Sequence, residues 1–186
     1  MKRHIILLIA FVLMSAQLFA QTPVYLTKAY KPVESDRYTA YSSLEIQGGD
    51  TWNNCFTLGV INNYHGYATF HLGGKYESIS FILGAEKSNG GNDPNIVQIH
   101  ADGRRIFDHV LRDGDLSKQF TLNISGVDKL EFSLVKPEVE AAFCEVALWT
   151  KGQTPHDLRG KNNPEVKTRM LFRDIAPYRM NYSSSD

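Results

Sequence analysis

Long apolar runs are scarce in this sequence of 186 residues. The one extended apolar stretch, Ile5 to Met14, is shorter than the roughly 20 residues that a bilayer-spanning helix needs. It follows Lys2 and Arg3 and precedes the small residue Ala20, which is the layout of a secretory signal peptide. We therefore expect residues 1–20 to be removed and the mature protein to be soluble, in the periplasm or outside the cell.

An excess of charge of either sign is also missing. The sequence holds 20 basic and 20 acidic side chains, and removal of residues 1–20 leaves a formal charge of −2. A nearly neutral chain argues against nucleic acid and against an anionic membrane as the main partner.

Cysteine occurs only twice, at Cys55 and Cys144. An oxidising compartment would permit a disulfide between them. The alternative is two buried free thiols that pack as small apolar residues. Neither cysteine has a second ligand at the spacing typical of zinc sites, so the sequence does not favour a metal there.

Motifs that carry catalysis are lacking. No serine has the context of a nucleophile elbow, no histidine and glutamate have metalloprotease spacing, and no glycine-rich loop opens a helix for phosphate. The carboxylates Asp108, Asp113 and Asp115 are close in sequence, but arginines are interleaved with them, which is typical of a solvated hairpin end. We expect no enzymatic activity.

Short stretches of alternating apolar and polar residues are abundant between residues 42 and 150. Examples are Phe56 to Val60 and Tyr67 to Leu72, each followed by turn residues. The clearest local pattern is Asp102-Gly103 between two alternating runs, which is a strong hairpin sequence. About eight or nine such strands without intervening helices predict an all-β fold, an antiparallel β-sandwich of jelly-roll type.

The composition divides the chain into four parts. Residues 1–20 are the expected signal peptide, and residues 21–41 form a lead-in segment with one edge strand. Residues 42–151 form the sandwich. Residues 152–186 form a C-terminal extension, which we expect to be partly disordered at its serine-rich end.

Four segments in order resemble the NPCBM (novel putative carbohydrate-binding module) family. They are residues 72–80, the strand-turn-strand of residues 97–107, residues 125–130, and a closing strand that ends at Trp149. The resemblance implies a jelly-roll sandwich with a sugar-binding role. In the closing strand, Phe143 stands where the family often has histidine, Glu145 stands for the family's acidic position, and the tryptophan is displaced.

Sugar binding needs a flat aromatic face and nearby amides, carboxylates or imidazoles, usually on loops at one end of a sandwich. Three predicted loops offer such groups: Trp52 and Asn53 in the first, His65 in the second, Asn92 and Asp93 in the third. Each has an alternative interpretation. Trp52 could anchor its turn against the core, the second loop could be an ordinary turn, and the third could be a flexible tip or a calcium loop.

The closing strand adds Glu145 and Trp149, which a period of two places on one face. Glu145 could hold a sugar hydroxyl there, and the alternative interpretation is a simple surface charge. The same period puts Phe143 on that outer face and assigns the opposite face to the core. The residues of that opposite face are Cys144, Val146 and Leu148.

The sequence therefore predicts a non-catalytic carbohydrate-binding module of an exported bacterial protein, which binds a glycan through loops at one end of the sandwich. No cofactor is expected, calcium being the alternative at Asn92 and Asp93. A second hypothesis is a secreted structural or protein-interaction module that uses the same fold without a sugar ligand.

Overall fold

The computed structural model describes residues 22–61, 64–85, 94–135 and 140–158, and the regular secondary structure within them is almost entirely β-strand. The elements in chain order are β1 (Val24–Tyr25), α1 (Leu26–Ala29), β2 (Glu34–Asp36), β3 (Tyr38–Glu45), β4 (Thr51–Leu58), β5 (Val60–Ile61), β6 (Tyr64–His65), β7 (Tyr67–His71), β8 (Ser78–Ala85), β9 (Asn95–Ala101), β10 (Arg104–Leu111), β11 (Lys118–Asn123), β12 (Lys129–Leu134) and β13 (Ala141–Trp149).

Eleven of these strands form two antiparallel sheets. The six-stranded sheet has the order β11-β8-β13-β4-β3, and β1 also pairs with β13. The five-stranded sheet has the order β10-β9-β12-β7-β2, and β5 and β6 form a separate hairpin. The predicted antiparallel β-sandwich is confirmed. The described part of the chain holds more strands than the eight or nine expected, because several are only two or three residues long.

The Asp102-Gly103 hairpin is also confirmed. Both residues have positive φ, 49° and 79°, as the mirror-image turn requires, and β9 pairs with β10 on either side of them. The carboxylate of Asp102 then accepts a hydrogen bond of 2.8 Å from the backbone N–H of Lys129. This bond ties the hairpin tip to the start of β12.

Phenylalanine rings fill the space between the two sheets. Phe132 from the five-stranded sheet makes edge-to-face contacts with Phe56 and Phe143 of the other sheet, at centroid distances of 5.2 and 5.1 Å. Phe70 and Phe81 extend the same group, and all five side chains are fully buried. We call the buried residues around these rings the inter-sheet core. Burial of each ring contributes about 1.5 to 3 kcal/mol.

The outer face of the six-stranded sheet is covered as well. A second set of buried residues lies there, and we call it the outer-face cluster: Ile46, Trp52, Cys55, Ile82, Ala142, Cys144, Ala147, Trp149 and Leu158. Residues after Trp149 fold back over it, with the His156 ring 4.9 Å from the Trp149 ring in an edge-on contact. Both faces of β13 are therefore covered, which explains why all nine of its residues are buried.

Residues 21–41 were expected to form a lead-in with one edge strand, and the described part, residues 22–41, supplies more of the sheets than that. Val24 pairs with Leu148 in one sheet, Ser35 pairs with Ala68 in the other, and β3 begins at Tyr38.

No helix in the described residues is long and apolar enough to cross a membrane.

Candidate functional site

The six-stranded sheet opens into a fork beside β13. This strand pairs with β8 along most of its length, but it pairs with β4 only at Ala141 to Phe143. Farther along, its partner on that side is β1, at Ala147 and Leu148. Glu145 lies between these two regions of pairing, so the backbone around it has room to depart from a regular strand.

A bulge at Glu145 accompanies the fork. The register between β13 and β8 shifts between Cys144 and Ala147, and Glu145 has a φ of 48°. Asn54 on β4 also has a positive φ, 52°. Asparagine tolerates this left-handed region, whereas glutamate seldom occupies it without a structural or functional cause.

The bulge corrects the predicted faces of β13. Val146 and Leu148 lie in the inter-sheet core as expected. The assignment of Phe143 to the outer face was wrong, because it packs in the inter-sheet core, and Cys144 lies in the outer-face cluster instead. The extra residue of the bulge changes which residues alternate, so a simple period of two cannot hold across Glu145.

The two cysteines form a disulfide that joins β4 to β13. Cys55 directly precedes Phe56 and Cys144 directly follows Phe143, and these two phenylalanines are the last paired residues at this end of the β4–β13 pairing. The question that the sequence left open is answered by this pairing, because the fold brings together two residues that are 89 apart in sequence. Both cysteines are fully buried.

The carboxylate of Glu145 is held by neighbouring donors. Its side chain is only 7% exposed. Oε1 accepts a hydrogen bond of 3.3 Å from the Asn53 backbone N–H, and Oε2 accepts one of 3.3 Å from the Asn54 side-chain amide. Within the described residues, no lysine, arginine or histidine forms an ion pair with this carboxylate.

Tyr25 contributes a third donor. The pKa of Tyr25 is raised from its ordinary value, first by burial, then by the negative charge of Glu145 and by the hydrogen bond to that carboxylate. The ammonium group of Lys28 lies over the Tyr25 ring, 5.3 Å from its centroid. Helix α1 and β1 thus bring one phenol and one cation next to the buried carboxylate.

A cleft of about 530 Å³ opens over this carboxylate. The N-terminal segment, the edge strand β3, β4 and the bulge of β13 all contribute to its wall. The lining residues are Tyr25, Thr27, Lys28, Ala40, Tyr41, Ser42, Asn53, Asn54 and Glu145. The cleft therefore combines two aromatic rings with amide, hydroxyl, carboxylate and ammonium groups, which is a suitable set for a polyhydroxylated ligand.

Among the predicted site residues that the structure describes, Asn53 and Glu145 come together in this cleft. Trp52 and Trp149 lie in the outer-face cluster, 4% and 1% exposed, so the expected open tryptophan face at Trp52 is not found. The alternative interpretation, in which Trp52 anchors its turn, agrees with this burial.

Three residues predicted from the sequence remain. His65 is in β6 of the small hairpin. Asn92 and Asp93, with the calcium alternative that rests on them, lie outside the described residues. In the part of the chain that the structure describes, no three or more histidine, cysteine or acidic side chains are grouped as metal ligands.

Sequence reasoning missed Tyr25, Lys28 and Tyr41 as wall residues. Tyr25 and Lys28 belong to a short strand and a single helical turn, and Tyr41 lies on an edge strand. No motif links these residues to Glu145. The abundance of tyrosine in residues 21–41 was the only available indication, and it pointed to no partner.

Comparison with known proteins agrees with the architecture. The model of the NPCBM/NEW2 domain family matches residues 15–153. No curated protein is similar enough in sequence to match this chain.

Solved structures of carbohydrate-binding modules share the fold. One is the CBM51 from Clostridium perfringens GH95 in complex with methyl-galactose, with a TM-score of 0.55, 14% identity, and coverage of 68% of this chain and 99% of that one. The tandem CBM51 modules of Sp3GH98 from Streptococcus pneumoniae give a TM-score of 0.56 at 10% identity, with coverage of 75% of this chain and 50% of that one.

At such low identities these likenesses concern the fold alone. The family match is different in kind, because it extends over well more than half of the sequence and includes every described strand. The chain belongs to the NPCBM/NEW2 domain family and has the fold of a carbohydrate-binding module.

Proposed function

We propose that this protein is a non-catalytic carbohydrate-binding module of an exported bacterial protein and that it binds a short glycan in the cleft over Glu145. The observation that carries the proposal is a buried carboxylate, held at a backbone bulge by neutral donors, at the base of a cleft with tyrosine walls. The membership of the family supports the same function.

The carboxylate of Glu145 can accept a further hydrogen bond from a ligand. An ionised carboxylate offers about four lone-pair sites. The Asn53 N–H, the Asn54 amide and the Tyr25 hydroxyl occupy up to three of them. At least one site is left for a sugar hydroxyl, and a hydrogen bond to a charged acceptor is stronger than one between neutral groups.

The walls of the cleft suit the other parts of a sugar. Tyr25 and Tyr41 offer aromatic surface for the C–H face of a pyranose ring, while Lys28 and Ser42 can donate to ring or hydroxyl oxygens. The volume of about 530 Å³ falls within the range of small-molecule sites and suits a short oligosaccharide.

The proposal places the site at a fork of the six-stranded sheet. Trp52 and Trp149 belong to the buried outer-face cluster and are not assigned to ligand contact. A contribution from His65, Asn92 or Asp93 stays a prediction. Export also belongs to the proposal. N-terminal sequencing of the protein recovered from outside the producing cell tests it, and we expect Gln21 as the first residue.

The first test is a glycan-array screen of residues 21–186, followed by calorimetric titration of any glycan that binds. Glu145→Gln should weaken the binding by about tenfold or more, because a charged hydrogen bond contributes roughly 1.5 to 3 kcal/mol. Glu131→Gln is the matched control. It makes the same chemical change on β12 of the other sheet, where the carboxylate lies 3.6 Å from His100, and binding should stay unchanged.

Two outcomes would contradict the proposal. Equal effects of the two substitutions would show that the cleft is not the glycan site. No binding across a broad array by correctly folded protein would favour the second hypothesis, a secreted protein-interaction module.

A further inference from the structure

The two cysteines of the disulfide are the chain neighbours of the two polar residues at the base of the cleft. Cys55 follows Asn54 in the chain, and Cys144 precedes Glu145. Each of these neighbours has the left-handed backbone conformation. A displacement of either sulfur is therefore transmitted to Asn54 or Glu145 through a single peptide unit.

Backbone pairing does not hold these residues together. In the described residues, the pairing of β4 with β13 ends at Phe56 and Phe143, each of which is next to one of the cysteines in the chain. Beyond that point no strand pairing joins β4 to β13 in the described residues, and the hydrogen bonds from Asn53 and Asn54 to Glu145 are both 3.3 Å long. Such long bonds are weak restraints.

The sandwich has a separate source of stability. The inter-sheet core holds five phenylalanine side chains that are fully buried. A domain of this size does not depend on a disulfide to form a core. The cysteines lie in the outer-face cluster, directly beside the cleft, and not in the inter-sheet core.

From these observations we infer that the Cys55–Cys144 disulfide is a positioning element for ligand binding, which sets the separation between Asn54 and Glu145 across the fork. The inference rests on the proposed function of the cleft. Loss of the disulfide then weakens glycan binding while the sandwich persists.

The test compares the wild type with the double variant Cys55→Ala, Cys144→Ala. Two quantities are measured: affinity for the glycan found on the array, and the pKa of the Tyr25 phenol, followed by NMR of ring-labelled tyrosine and assigned with Tyr25→Phe. Burial is the first cause of the raised pKa of Tyr25, and the charge and hydrogen bond of Glu145 raise it further, so this second part of the shift depends on the position of the carboxylate.

We expect the affinity of the double variant to fall by about tenfold or more, as for a displaced charged hydrogen bond. The pKa of Tyr25 should move down towards its ordinary value, as it should in Glu145→Gln. Circular dichroism should show an intact β-sandwich with a cooperative, lower melting transition.

Ile99→Ala controls for lost stability. Ile99 is fully buried in β9 of the five-stranded sheet, away from the cleft, so the change should lower the melting temperature and leave both affinity and the pKa of Tyr25 unchanged. A fall in affinity of the same size in this control would show that general destabilisation weakens binding, and it would overturn the inference.

The other outcomes also decide the question. If either the affinity or the pKa of Tyr25 stays at its wild-type value in a folded double variant, the inference is wrong. If the Cys55→Ala, Cys144→Ala variant does not fold, the variant Cys55→Val, Cys144→Ala replaces it, because valine restores volume to the outer-face cluster. If neither double variant folds, the disulfide supports the entire sandwich and the inference is wrong. If the wild type binds no glycan, the proposed function fails, and the pKa of Tyr25 alone tests the positioning.

Discussion

The two faces of the six-stranded sheet differ in what covers them. On the inner face, the inter-sheet core is made of phenylalanine rings and aliphatic side chains, with Phe56 stacked on Phe143 at 4.8 Å. On the outer face, the cluster combines two tryptophans with a disulfide, and the Trp149 indole donates to Ser80 Oγ at 3.1 Å.

This difference predicts that stability depends mainly on one face and the proposed site on the other. Apolar rings without polar atoms can pack wherever two sheets meet, and they specify the sandwich. The outer-face cluster has polar edges, includes the disulfide and lies beside the bulge at Glu145, so it shapes the cleft. Substitutions on the inner face should therefore act on folding, and those on the outer face should act on folding less and on the site more.

The largest effect is expected in the inter-sheet core. Phe132→Ala removes a ring that contacts four other phenylalanines, and it should lower the free energy of unfolding by about 3 to 5 kcal/mol. Urea denaturation measures this loss. Phe120→Ala, on a half-buried residue of the edge strand β11, should cost clearly less. Equal losses would show that the packing of the core does not control stability.

A matched pair in the outer-face cluster tests the role of polar edges. The Trp149 indole N–H is hydrogen-bonded, whereas that of Trp52 is buried and has no partner among the described residues. Trp149→Phe should therefore be less stable than Trp52→Phe by about 1 to 2 kcal/mol, because only the first loses a hydrogen bond. The same urea experiment measures the difference, and the reverse order would refute the argument.

The bulge itself should show backbone strain. Glycine tolerates a φ of 48° without the steric cost that other residues have there. Glu145→Gly should be more stable than Glu145→Ala by about 1 kcal/mol, after allowance for the greater entropy of glycine in the unfolded chain. Thermal unfolding of the two variants measures the difference. If alanine is as stable as glycine, the bulge is not strained.

The smallest expected effect is a loss of stability at alkaline pH. Burial, followed by the hydrogen bond and the charge interaction with Tyr30, raises the pKa of Tyr76 far above its ordinary value. The folded state then holds this proton more tightly than the unfolded state does. Stability from Tyr76 is complete below the unfolded pKa of about 10 and is lost as pH rises above it.

Urea midpoints at about pH 8 and about pH 11 measure this loss. Tyr76→Phe should reduce the loss more than Tyr25→Phe, because Tyr76 belongs to the inter-sheet core while Tyr25 packs beside the outer-face cluster. A wild-type midpoint that does not fall with rising pH would contradict the argument.

Much of the fold could be predicted because its determinants are local. Alternation identified the major strands, and Asp102-Gly103 identified the hairpin, since positive φ at both turn positions is a property of those two residues. The short strands β1 and β2 were harder to predict, because two or three residues carry no readable period. Their pairing depends on partners far along the chain.

The candidate site could be predicted only in part. Glu145 and Asn53 were identified by residue type, and both line the cleft. The role expected of Trp52 depended on its exposure, and Trp52 is buried in a cluster that includes Leu158, far along the chain. The exposure of a side chain is a property of the packed molecule, and the sequence indicates it only through the alternation of apolar and polar residues. This alternation is interrupted in β4 at Asn54 and in β13 at Glu145, where φ is positive.

The sequence by itself determined an antiparallel sandwich, its central hairpin and its family resemblance, because alternation, turn chemistry and motif order are written in neighbouring residues. Only the tertiary structure decided that Cys55 meets Cys144, that β13 bulges at Glu145 and that Tyr25 reaches this carboxylate. The disulfide and the interaction of Tyr25 with Glu145 join residues that are distant in the chain, and the bulge lies between them at the fork of the sheet. Their energies come from the packing and pairing of whole strands, which no local pattern specifies.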